Sequence, residues 1–162
     1  MTAERASLSA IYEGWHTYQQ AISQALEPLS AEQLALRPAP HLRSVGEIAA
    51  HIIGARARWF HQLMGEGGDE FAALARWDRR GAPARSAAEL VQGLQQTWAG
   101  MHQAIARWTP EQWQETWPGE DDGDPEIITR PWVIWHLIEH DIHHGGEISI
   151  TLGAHGVPAL PL

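Results

Sequence analysis

The stretch WHLIEHDIHHGGEIS, Trp135 to Ser149, gathers four of the chain's ten histidines into nine consecutive positions. His136, His140, His143 and His144 stand there with Glu139, Asp141 and Glu147, residue types that ligate metals or move protons. On a helix the i, i+4 spacing of His140 and His144 turns both imidazoles to one face, where they converge on a single ion. At about 100° per residue, His143, His136, Glu147, His140 and His144 share one arc roughly 100° wide. Val133, Leu137 and Ile148 lie on the same side, and His140 and His144 are nearest this apolar stripe. Those two are candidate ligands. His136 and His143, nearer the edge of the arc, are candidates for the rim or for hydrogen bonds behind the ligands. A His-x-x-x-His pair also fits a polar helix face rich in imidazole, so a third donor from another helix is what separates the readings. His51, in EIAAHIIGARARWF, is the candidate for that donor; it too has an ordinary reading as a hydrogen-bonded helix residue.

The elements that must bring these residues together are helical. Four segments carry apolar residues at spacings of three and four, separated by breaks rich in Pro and Gly, and strand signals are nearly absent. The first, Ser7 to about Leu26, aligns Leu8, Ile11, Trp15, Tyr18, Ile22 and Leu26 ahead of Pro28. The stretch SAEQL reads as a short helical turn. Ser44 and Glu47 make a capping box that opens the second helix, expected to run to about Met64 before Gly65, Gly67 and Gly68. A loop or short helix with Trp77 leads to the third, Ser86 to Trp108. Thr129 caps the fourth, with Pro131 in its first turn. The expected fold is all-α, a four-helix bundle of one domain over residues 1–162.

Composition narrows the partners. Eleven arginines, no lysine and twenty acidic residues give a net charge of −9 with neutral histidine, which speaks against nucleic acid and against an anionic membrane surface. There is no cysteine, so chemistry falls to His, Asp, Glu, Ser, Thr or Tyr. The N-terminus lacks the pattern of a signal peptide and no stretch is apolar enough to span a bilayer, so a cytoplasmic protein is expected. The acidic run GEDDGDP lacks the spaced carboxylates of a calcium loop and reads as a solvated link.

An isolated His early in the second helix, followed by His-x-x-x-His within a string of the form H-x-x-H-H-x-G-x-[IL] in the fourth, resembles the DinB-like (DinB/YfiT) metalloenzyme family. Trp15, the RPAPHLRSVGEIAAHI lead-in to the second helix and the LGAHGVP tail extend the resemblance over nearly the whole chain. It implies a divalent metal, usually nickel or zinc, on His51, His140 and His144, within a four-helix bundle that is commonly a homodimer. The chain reads HHGGE where HHRGQ is more frequent in the family, so Gly145 and Glu147 stand where Arg and Gln are usual. Relatives include enzymes that use low-molecular-weight thiols such as bacillithiol or mycothiol.

The expectation that follows is a transfer of such a thiol to an electrophilic small molecule, the thiol losing its proton on the metal. Arg56 and Arg58, one and two turns beyond His51, are candidates to bind a carboxylate on either reactant, or are solvated helix arginines. Two other classes stand beside this one. A hydrolase using metal-bound hydroxide would take Glu147, Asp141 or Glu139 as general base. A stress-related dimer would hold the metal without catalysis. Ile134, Trp135, Ile138 and Ile142 give the fourth helix a second apolar side, which fits a central helix or one packed on a partner. Trp108, Trp113 and Trp117 crowd the link before it, as core, pocket mouth or interface.

Overall fold

The computed structural model describes residues 3–120 and 123–161. The side chains of residues 3–9, Leu8 among them, and Asp121 and Asp122 of the acidic run lie outside the described set. Among the described residues seven α-helices follow in order: α1 Ala3–Leu26, α2 Ala31–Leu34, α3 Val45–Arg58, α4 Gly68–Leu74, α5 Ala87–Arg107, α6 Pro110–Trp113 and α7 Arg130–Ala154. Two three-residue strands, β1 Thr116–Pro118 and β2 Ile127–Thr129, pair antiparallel with Trp117 opposite Ile128.

Helix starts are set by side chains that take the otherwise unpaired first N–H groups. Reciprocal capping boxes join Ser30 with Gln33, Ser44 with Glu47, Ser86 with Glu89 and Thr109 with Gln112. Thr129 accepts from the Trp132 N–H, and Pro131 fits the first turn of α7, where no intrahelical donor is lost. At its far end α3 continues into a π-helical turn, Trp59–Leu63. Gly65 and Gly67 follow with φ of 70° and 75°, a backbone that stops the helix and that glycine adopts without strain.

The four long helices form a ring in which α3 packs on α5 and α7, and α1 packs on the same two. Their facing stripes bury Ile22 and Leu26 of α1, Ile48 and Ile52 of α3, Leu90, Leu94 and Met101 of α5, and Leu137, Ile148 and Leu152 of α7. One polar junction crosses this core and touches all four. Asp141 of α7 is fully buried and accepts from Trp15 Nε1 of α1 at 2.6 Å and from Arg56 Nη2 of α3 at 2.7 Å. Arg56 also donates to Thr97 Oγ1 and the Leu94 carbonyl of α5, each at 3.4 Å. A buried carboxylate with these donors stays ionised: burial pushes its pKa up, and Arg56 with the other donors outweighs that and holds it below the ordinary range.

Among the described residues of the link between α5 and α7, those next to Trp108 and Arg130 pack more closely than their sequence suggests. Arg130 donates to the Gln112 carbonyl at 2.8 Å, pairs with Glu115 at 2.5 Å, and lies over the Trp108 ring at 4.3 Å. Trp108 stacks on Phe60 and meets Trp113 edge-on, so these tryptophans close one end of the bundle around a buried cation. The two strands were not expected from sequence: three residues each, ending at Pro118, is too short a run to show a period of two.

Candidate metal centre

His51 sits in the second turn of α3 and His140 and His144 in the middle of α7, the two helices packed face to face. One ring nitrogen from each lies within 4.8 Å of the others, a group able to hold a metal ion. The Nε2 atoms of His51 and His140 face each other at 3.2 Å, and the His140 and His144 rings are 4.4 Å apart between centroids.

Carboxylates behind two of the imidazoles fix which nitrogen looks inward. His51 Nδ1 donates to Asp78 Oδ2 at 2.7 Å, and His144 Nδ1 donates to Glu147 Oε2 at 2.6 Å. With Nδ1 protonated, each ring presents the Nε2 lone pair, the arrangement in which a carboxylate orients a metal-binding imidazole and raises its basicity. His140 Nδ1 is buried without a hydrogen bond, the nearest carboxylate being Asp141 at 4.0 Å. Burial depresses the pKa of His140, and burial holds that of His144 down to about 4, against the opposing effect of the hydrogen bond His144 donates to Glu147. Neutral nitrogen donors are what a divalent ion requires, so the residues present fit such an ion.

Asp78 is the residue that periodicity missed. It lies in the loop after α4, where ARWDRR shows no repeat, and its carboxylate is gripped by Arg58 Nη1 at 2.5 Å and Nη2 at 2.9 Å. Burial alone would raise its pKa, but His51 and Arg58 together hold it well below the usual carboxylate range. Two glycines admit the loop. A Cβ at Gly54 would stand 2.7 Å from Asp78 Oδ1, and one at Gly93 would stand 2.8 Å from the Trp77 ring. Glycine inside a helix costs about 1 kcal/mol relative to alanine, so each was a readable sign of a close approach.

The other candidates separate clearly. Arg58 faces the site through Asp78, and its side chain stays partly exposed on the wall of a second cavity beside Trp59 and Gln62. Arg56 does not face the site: it lies five residues past His51, about 140° around the helix, which aims it into the core and onto Asp141. It is fully buried and has no access to a reactant, a correction to the role considered for it. Glu147 orients His144 and also lies 3.5 Å from His143. His143 is exposed, as its place on the helix arc implies, and His136 stacks on Trp132 at 4.9 Å beside Trp59, at the rim. A second group, His143, His144 and Glu147, is more open to solvent, and its carboxylate is already bound to His144. On the second apolar side of α7, Ile134 and Ile138 are core while Trp135 and Ile142 are more than half exposed. At position 145 a Cβ would stand 2.5 Å from the Tyr18 hydroxyl, which donates to the Ile142 carbonyl. Tyr18 thus fills the space that any larger side chain there would enter.

The fold has close counterparts among solved structures. A DinB-like protein from Bacillus cereus ATCC 10987 superposes with a TM-score of 0.70 at 18% identity, over 93% of this chain and 94% of that one. A DinB-like protein from Bacillus subtilis does so with a TM-score of 0.62 at 18% identity, over 91% and 93%. No match was found among curated proteins. No helix among the described residues is long and apolar enough to cross a membrane. The DinB family profile matches residues 2–162, and with the bundle and the histidine group in place the chain belongs to the DinB family.

Proposed function

We propose that the chain is a metal-dependent enzyme that transfers a low-molecular-weight thiol, such as bacillithiol, to an electrophilic small molecule. His51, His140 and His144 are its ligands for a divalent ion, nickel or zinc. The observation that carries this is the triad with its two orienting carboxylates: three imidazoles gathered on one point, two of them turned Nε2-inward by Asp78 and Glu147. Three protein donors make up a catalytic site and not a closed structural one. An ion bound there lowers the pKa of a thiol or water that it binds.

The protein's own part is positioning and exclusion. Asp78 and Glu147 hold the ring tautomers, Arg58 holds Asp78, and the Trp15–Asp141–Arg56 junction fixes the rotation of α7 that points His140 and His144 at α3. The engagement of nearby carboxylates favours thiol transfer over hydrolysis, which needs a general base. Glu147 is tied to His144, Asp141 is buried in an ion pair, and Glu139 lies on the exposed side beside His136. A thiol activated by the ion needs no such base. We also take the enzyme to be a homodimer, supported by the exposed Trp135, Ile142 and Ile150 along α7, with Ile11 exposed on α1.

The deciding experiment is metal analysis of protein purified without a histidine tag, then a thiol-consumption screen against a panel of electrophiles. Thiol-dependent turnover that disappears in His140→Ala supports the transferase. Turnover that needs no thiol would replace it with the hydrolase.

A further inference from the structure

Five of the chain's eleven arginines line one cavity. Arg37, Arg43, Arg79, Arg80 and Arg85 surround a space of about 630 Å³ between α2, the start of α3 and the loop that follows α4. That volume suits a small molecule. Glu47 and Asp78 are the acidic residues on its wall, so cations outnumber carboxylates there in a chain whose net charge is −9.

The arginines are not equivalent. Arg37 pairs with Glu47 at 2.7 Å, and Arg85 pairs with Glu89 and lies over the Trp77 ring at 4.5 Å. Both are internally neutralised. Arg43, Arg79 and Arg80 are exposed to the cavity side of the molecule and take part in no ion pair among the described residues. Three like charges gathered in one concavity repel each other and attract anions from solution. Guanidinium is also the side chain whose planar fork matches carboxylate and phosphate oxygens in pairs.

The cavity adjoins the histidine triad through Asp78, the carboxylate that orients His51. Asp78 forms part of the cavity wall and holds His51 on its other side. The cationic wall therefore ends where the triad begins.

We propose that this cavity is the anion subsite of the enzyme, and that the substrate is a small molecule bearing at least two carboxylate or phosphate groups, held by Arg43, Arg79 and Arg80. The assignment of the triad as the reacting end rests on the metal-enzyme reading; the anion subsite itself does not. Arg56 and Arg58 were the sequence's candidates for this task, and both are engaged elsewhere, by Asp141 and Asp78.

The test is calorimetric titration of succinate and of inorganic phosphate, with acetate as monoanion control, into metal-free wild type, His140→Ala, Arg43→Gln and the Arg79→Gln/Arg80→Gln double variant. Saturable binding of succinate or phosphate, tighter than acetate, is expected in wild type and His140→Ala, with the tighter of the two identifying the acid group. Each charge-assisted contact removed should weaken it by about tenfold. Absence of saturation, or equal affinity in wild type and both arginine variants, would overturn the subsite. Because His140→Ala keeps the arginines and lacks a ligand, a failed metal reading leaves anion binding intact, and a failed subsite leaves metal content intact.

Discussion

Asp78 rests against Gly54: a Cβ at position 54 would stand 2.7 Å from Asp78 Oδ1, inside the space the carboxylate needs to reach His51. A single methyl group on α3 should therefore act on the metal site through the loop. Gly54→Ala and Asp78→Asn are both expected to weaken metal binding by about 10–100-fold, read by competition with a chromogenic chelator. Gly153→Ala, where a Cβ meets nothing within 4 Å, is the control and should leave affinity unchanged. Wild-type affinity in Gly54→Ala would show that Asp78 does not orient His51.

His51→Ala, His140→Ala and His144→Ala should each lose stoichiometric metal, whereas His136→Ala and His143→Ala should keep most of it. His136 is held by Trp132 at the rim and His143 is exposed. Elemental analysis of the purified variants decides; full metal content in His140→Ala would remove the triad as the site.

Asp141→Ala should be among the most destabilising single changes. It leaves the Arg56 guanidinium buried without its counter-charge and strips the Trp15 indole of its acceptor. Breaking one side of a buried pair costs about 3–5 kcal/mol, measurable as a shift of the urea midpoint. A shift no larger than that of an exposed pair such as Arg85–Glu89 would mean the junction contributes little.

Acid should destabilise the metal-free protein through His144. Burial is the main reason that its folded pKa is only about 4, below the ordinary 6.5. As pH falls from about 6.5 toward about 4 the unfolded chain takes up a proton that the folded chain refuses, so stability drops across that window and this group adds no further loss below it. His144→Gln should show a shallower decline. Metal-loaded wild type should decline more steeply, since protons also displace the ion. Equal slopes in all three would assign the acid sensitivity to general charge.

Light scattering should give twice the 18.0 kDa chain mass. Ile142→Glu, which places a charge in the exposed stripe of α7, should shift the protein to monomer without altering its helical content. A monomeric wild type across a wide concentration range would refute the dimer.

The long helices were legible because their information is local. Ser44 with Glu47, Ser86 at the head of its apolar stripe, and Thr129 ahead of Pro131 mark starts, and the stripe of α1 gives its end at Leu26 while the helix begins four residues before Ser7. The grouping of His140 with His144 follows from the same period, and His51 joined them through the resemblance to the family. Asp78 and the arginine cavity were not legible, since they depend on how an aperiodic loop folds back over α3. Arg56 is about one turn beyond His51 along the helix, but the roughly 140° between them around it turns Arg56 toward the core and Asp141.

His51 and His140 are 89 positions apart along the chain, and their nitrogens meet only where α3 lies against α7. Before those helices dock, an ion finds at best the single pair His140 and His144, which any nascent α7 offers. Full coordination thus requires the docked α3–α7 pair, and we predict that it is completed only after the folding transition state. An interaction absent from the transition state leaves the folding rate alone and slows unfolding. The ion's effect on this protein would then be read in time: the metal-loaded chain folds no faster than the metal-free one, and once folded it stays folded longer.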